Sequence, residues 1–292
     1  HKDAKIHAQR DCNDLGIKLH KERNYKLALK YFKIVVVLAP REYFGYYNMG
    51  NTYYEMEDYE NAKAFFKKAI EFKPEYESVH SNLGATYRHL GKTERSLSCY
   101  DKAINFNPKN ASNYYGRAVT LEDAERIEDA EENYRKAISL DPRHIASYHN
   151  LALIYEKRGQ IKEGLNIAKK VLKFESSHPE TNHSIGIMSL QLENFREGWK
   201  YNEFRWKVSQ QKKVVWPFQD KAVWKGERGK RVAVWREQGI GDQIIFLSLL
   251  SEVKEMCETL SVYVDPRLQA LCERAKPEIS FIPDRKALKR EK

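Results

Sequence analysis

A small residue returns every 34 positions, six times over, at Gly16, Gly50, Gly84, Ala118, Ala152 and Gly186. A second series, Ala28, Ala62, Ser96, Ala130, Gly164 and Gly198, keeps the same step and trails the first by 12 residues. Four residues further on stand Phe32, Phe66, Tyr100 and Tyr134, and Pro40, Pro74, Pro108 and Pro142 close the first four units. This is the arrangement of a helix, a turn, a second helix and a stop. Small residues let the two helix axes approach, the ring fills the space between one pair and the next, and proline cannot continue the second helix. The period therefore predicts an all-α superhelix of about six helix pairs over residues 9–206.

These residues resemble the tetratricopeptide repeat family. The resemblance implies a superhelix whose inner face is lined by the first helix of each pair, and it leaves the chemistry open because such solenoids serve many functions. Asn48, Asn82 and Asn150 hold one register, two residues before the small position, where Asp14, Gly116 and Ser184 stand in the other units. They are similar to a partial version of the asparagine ladder that lines the groove of O-linked N-acetylglucosamine transferase. A side-chain amide both donates and accepts, which suits the backbone of an extended peptide of any sequence. A structural or solvated role fits the same asparagines. Tyr47, Tyr115 and His149, one residue earlier, would add stacking and hydrogen-bonding surface to such a groove. The histidine pairs His144/His149 and His178/His183 lie five residues apart, the wrong spacing for one helical face, and no metal site is assigned.

The sixth unit ends differently. Its second helix reads EGWKYNEFRWK, where Trp199, Phe204 and Trp206 replace the alanine-spaced pattern and suit a terminal face that docks onto something else. Residues 207–230 read as a linker, with Trp216 and Trp224 as anchors. From Arg231 the period changes. RVAVW, LSVYV and ISFI are of strand type, and QIIFLSLLSEVKEM and PRLQALCERA between them have helical spacing. Strand, helix, strand, helix, strand with short connections is the opening of a doubly wound α/β parallel sheet over 231–292. About 60 residues fall short of a typical domain. With an N-terminus that lacks an initiator Met, this sets the expectation of a piece of a longer protein.

In an open parallel sheet, ligands bind beyond the carboxyl ends of the strands. The turn after the first strand, Glu237-Gln238-Gly239-Ile240-Gly241-Asp242, stands at such a place. Gly239 and Gly241 allow a tight turn, and the free N–H groups of a helix start favour an anion or a hydroxyl-rich ligand. Asp242 fits a helix cap or a base towards a bound hydroxyl. The third glycine of a dinucleotide fingerprint is missing.

The run from FREGWKYNEFRW through VWKGERGKRVAVWREQGIGDQIIFLSLL resembles the junction in bacterial tetratricopeptide proteins fused to a glycosyltransferase domain of the GT-B fold. It is similar to the heptosyltransferases and more distantly to O-linked N-acetylglucosamine transferase. The resemblance implies that Asp242 is the general base beside the acceptor hydroxyl, with Glu237, Gln238, Gly239 and Gly241 in the acceptor and phosphate loop. It also implies a nucleotide-sugar donor held by a second half that this chain lacks, so the piece alone should not turn over and has no cofactor of its own. The repeats would present a protein or glycan acceptor. The alternative is a non-catalytic scaffold that binds peptides or assembles a complex.

No stretch approaches the ~20 apolar residues of a membrane-spanning helix. The formal charge of +10 is mildly concentrated at the C-terminal end, where Lys212, Lys213, Arg285, Lys286, Lys289, Arg290 and Lys292 supply much of it. This reads as a solvated surface or an attraction to an anionic membrane or a nucleotide, and no nucleic-acid partner is expected. Cys12, Cys99, Cys257 and Cys272 form no CxxC pair, which favours a reducing, cytoplasmic location without structural zinc.

Overall fold

The computed structural model describes residues 2–208, 226–235 and 247–283. The chain divides between residues 209 and 210 into two compact units. The first is a run of helices: α1 (Lys2–Lys21), α2 (Tyr25–Leu38), α3 (Tyr43–Glu55), α4 (Tyr59–Phe72), α5 (Glu77–His89), α6 (Thr93–Phe106), α7 (Ala111–Asp123), α8 (Ile127–Leu140), α9 (Ile145–Lys157), α10 (Ile161–Val171), α11 (Pro179–Gln191) and α12 (Phe195–Asn202). The sixth pair departs from the sequence reading. Its second helix stops at Asn202 and tightens into a 3₁₀ turn over Glu203–Lys207, where Arg205 Nη1 donates to the Asn202 carbonyl at 3.0 Å.

The helices of each pair meet where the two small-residue series predict. Ser96 Oγ donates to the Gly84 carbonyl at 2.8 Å, and a Cβ on Gly164 would lie 2.8 Å from the Ala152 carbonyl. The aromatic position is more specific than a filler between pairs. Phe32 and Phe66 cover the glycine of their own pair, so that a Cβ on Gly16 or Gly50 would sit 2.5 or 2.6 Å from the ring. Tyr100 is wedged between Gly84 of its own pair and Gly116 of the next. Phe32, Phe66, Tyr100 and Tyr134 are all buried.

The turn inside each pair carries a periodic feature that the small residues do not mark. Arg23, Glu57, Gly91, Glu125, Gly159 and Glu193, each 34 residues after the last, all have φ between 59° and 76°. The next residue's N–H reaches back to the carbonyl five positions earlier, as from Asp58 to Tyr53 and from Arg126 to Leu121, both at 2.9 Å. This is the Schellman closure of a helix, whose left-handed residue is normally glycine. Four of the six places hold a charged side chain in a conformation that costs an L-residue about 1–2 kcal/mol. Glu125→Gly is expected to raise the free energy of unfolding by about 1 kcal/mol, whereas Gly91→Ala lowers it by a similar amount. Urea denaturation of the two variants beside the parent chain checks both signs.

Successive first helices touch, α1 with α3, α3 with α5, α5 with α7 and α9 with α11. They approach more closely than the second helices do, which puts the odd-numbered helices on the inside of the superhelix.

The second unit is a three-stranded parallel sheet in the order β1 (Lys230–Trp235), β2 (Cys257–Val264), β3 (Ser280–Pro283). The connections hold a 3₁₀ turn at Leu247–Leu249 with α13 (Leu250–Met256), and α14 (Gln269–Ala275). Val232, Leu250, Leu260, Val262, Val264, Leu268, Cys272 and Phe281 form its core. The strands and their parallel sense follow the sequence reading, while the second helix begins three residues later than PRLQALCERA suggests. Asp265, fully buried at the carboxyl end of β2, accepts from Arg267 Nε at 2.9 Å and Nη2 at 2.8 Å. The loop from Glu237 to Asp242, with Gly239 and Gly241, lies outside the described residues, as do Trp216 and Trp224. Among the described residues no helix is long and apolar enough to cross a membrane.

Candidate functional site

Neighbouring first helices run side by side, so a side chain on one meets the residue about 35 positions on in the next. Asn48 Nδ2 donates to Asn13 Oδ1 at 2.8 Å, and Asn82 Nδ2 donates to Asn51 Oδ1 at 2.7 Å and to the Tyr47 hydroxyl at 3.3 Å. Asn150 Nδ2 donates to the Tyr134 hydroxyl at 3.0 Å, which itself donates to Glu122 Oε2 at 2.8 Å. Each of these three asparagine amides is thus tied to the preceding pair.

A second row lies towards the C-terminal ends of the same helices. Arg88 Nη1 donates to Asp123 Oδ2 at 2.9 Å, Lys157 Nζ to Glu122 Oε1 at 3.1 Å, and Gln191 Nε2 to Glu156 Oε1 at 3.2 Å. Tyr54 and His89 fill the equivalent place with an edge-to-face ring contact at 5.5 Å. His20 and Glu55 stand at the first place in the row. Among the described residues no hydrogen bond or ion pair joins them.

The two rows border a cleft of about 320 Å³ lined by His20 of α1, Asn51, Tyr54 and Glu55 of α3, and Asn82 and Ala85 of α5. His20 and Tyr54 share one register of the repeat, Asn51 and Ala85 another. Thr52 Oγ1 donates to the Asn48 carbonyl at 2.7 Å, so its lone pair receives His20 Nδ1–H at 3.1 Å. His20 Nε2 is then the acceptor nitrogen of a neutral ring. Burial lowers the His20 pKa, opposed by the Glu55 carboxylate. Burial raises the Tyr54 pKa, opposed by the positive charge of Arg88.

Of the six groove residues expected from the sequence, Asn82 lines this cleft. Tyr47 lies beside it, its hydroxyl bound to Asn82 and its ring against Phe66 and Tyr76. Tyr115 packs on Tyr134 and His144, and burial raises its pKa. His149 faces His178 at 6.5 Å between ring centroids, and burial, with His178 adding to it, lowers its pKa. Its Nδ1 is buried without a partner among the described residues. Among those residues no group of three or more metal-ligating side chains comes together. Burial pushes the Cys99 thiol up to about 11. The sequence reading missed His20, Asn51, Tyr54, Glu55 and Ala85. The available signal was helical spacing for Asn51, Ala85 and Glu55, which stand three or seven residues after the asparagine position of their helices.

Stacked helix pairs with a polar inner row define a helical-repeat solenoid. Its repeats are tetratricopeptide repeats: one family model of that description matches residues 43–76 and 78–110, and a second matches 99–132 and 133–166. No curated protein matches the chain in sequence. Among solved structures, a thermophilic TPR protein of Thermus thermophilus is 20% identical, with 62% of this chain and 99% of that one covered and a TM-score of 0.54. PilW, a type IV pilus biogenesis factor, is 14% identical over 73% of this chain and 97% of that one, with a TM-score of 0.60. PilF of Pseudomonas aeruginosa is 11% identical over 71% and 94%, with a TM-score of 0.62. At such identities the likeness is one of fold.

Proposed function

We propose that this chain is an interaction module whose inner face holds an extended segment of another protein. The cleft across α1, α3 and α5 carries the reading. It is bordered by amide and hydroxyl groups already fixed by their neighbours, so a peptide backbone meets a pre-ordered surface and little side-chain freedom is lost on binding. Ala85 is the one lining residue without a polar side chain, and it leaves the floor of the cleft open. Ala85→Trp is expected to fill the cleft and weaken capture of a random decapeptide library at least tenfold, with the helical circular dichroism unchanged. Equal capture by parent and variant would place the binding surface elsewhere.

A second reading rests on the other unit. Three parallel strands in sequential order, with β1 ending at Trp235 on the N-terminal side of the Gly241-Asp242 sequence, support a glycosyltransferase reading. In that reading Asp242 deprotonates the acceptor hydroxyl, Gly239 and Gly241 give it room, and a nucleotide-sugar donor binds a further half-domain. The solenoid then presents the protein or glycan acceptor. The test is sugar transfer by the full-length protein beside Asp242→Asn. Transfer that survives the substitution makes Asp242 a helix cap.

A further inference from the structure

We infer that the cleft across the first three helix pairs selects a basic side chain, lysine or arginine, of the bound segment, with the Glu55 carboxylate as its counter-charge. The inference rests on the groove reading and deepens it.

The array states the chemistry of this register itself. Along the row of residues 35 apart, Asp123 takes the Arg88 guanidinium, Glu122 the Lys157 ammonium and Glu156 the Gln191 amide. Each of these carboxylates is satisfied by a donor from the adjoining helix. Glu55 stands in the same row, exposed, with His20 opposite it and no hydrogen bond or ion pair among the described residues. The basic side chain nearest in the row, Arg88, is already held by Asp123 at 2.9 Å. The first rung of the ladder therefore has its anion and lacks its cation.

The lining adds two neutral acceptors to this carboxylate. His20 Nε2 is the acceptor nitrogen of a ring whose Nδ1–H bonds Thr52, and the Asn51 carbonyl oxygen, which takes one Asn82 hydrogen, has a second lone pair. Two neutral acceptors and a carboxylate around about 320 Å³ suit a group with several N–H donors and a positive charge. An acidic or apolar side chain would leave these acceptors unpaired. A lysine side chain and a free N-terminal amine share this chemistry, and the side chain is the occupant proposed, because the cleft lies across three successive inner helices that an extended segment would cross.

The test uses the full chain and four acetylated, amidated decapeptide libraries with Lys, Arg, Gln or Glu fixed at the centre, read by fluorescence anisotropy. The parent should bind the Lys and Arg libraries about tenfold more tightly than the Gln library, and 0.5 M salt should erase the difference. Glu55→Gln should bring all four within about twofold while the Gln library keeps its affinity, and Glu55→Lys should turn the preference towards Glu. A basic preference that survives Glu55→Gln, or a parent with none, overturns the inference and leaves the groove reading standing. A preference restored only by removing the acetyl group assigns the cleft to an N-terminal amine and overturns the side-chain assignment. Failure of every library to bind the parent removes the groove reading and this inference together.

Discussion

Phe66→Ala is expected to lower the free energy of unfolding by about 3–5 kcal/mol and to abolish binding in the cleft. The ring is fully buried at the contact of α3 with α4. It lies where a Cβ on Gly50 would stand 2.6 Å away, and tilts against Tyr47 at 6.1 Å between centroids. Removing it leaves a hole that its surroundings refill poorly, because Gly50 has no side chain and Ala62 and Ala69 beside it are small. Phe66→Leu keeps most of the volume and should cost less than half as much. The functional loss follows from position, since α3 supplies Asn51, Tyr54 and Glu55 to the cleft. In a stack held by contacts between neighbours, loosening α3 against α4 appears as an early step of its own in a urea titration. Peptide binding measured along the same titration should vanish with that step. Binding that persists through it would show that α1, α2 and α5 hold α3 in place without α4.

The period made the helix pairs legible because helix contact imposes a size limit that composition cannot hide. Gly84 and Ser96, or Ala152 and Gly164, are small for the same steric reason and recur at the same step. The three strands were legible too, as short apolar runs between helical spacings. The left-handed turn residues escaped notice because tertiary context overrides local preference: the glycine expected at such a place is present at Gly91 and Gly159, and Arg23, Glu57, Glu125 and Glu193 disguise the rest. The cleft was harder still. Its lining residues come from several registers and share no chemistry, so no single residue type repeats through His20 and Tyr54 or through Asn51 and Ala85. Asparagine did repeat, and drew attention to a row whose amides are largely spent on bonds within the array, Asn48 on Asn13 and Asn150 on Tyr134. The loop carrying Glu237, Gln238, Gly239, Gly241 and Asp242 is a reading of sequence and lies outside the described residues.

Gly186→Ala should separate the end of the array from its centre. At the matching places in the fourth and fifth pairs the chain carries Ala118 and Ala152, so a methyl group is acceptable to the repeat as such. In the sixth pair it is not. A Cβ there would lie 2.5 Å from the Asn202 nitrogen and 2.9 Å from the Asn202 Cα, both backbone atoms that no rotamer change can move aside. Alanine gains about 1 kcal/mol in helix propensity, and overpacking against backbone should outweigh it by ~2 kcal/mol. The damage should stay local, because α12 touches α11 and the 3₁₀ turn that follows far more than anything else in the solenoid. Hydrogen exchange should show protection falling about 30-fold in α11 and α12 and unchanged in α3 to α6. Peptide capture by the cleft should equal that of the parent chain. Loss of protection in α3 to α6 would instead mean that the six pairs fold as one unit, so that a fault at either end reaches the cleft through the whole stack.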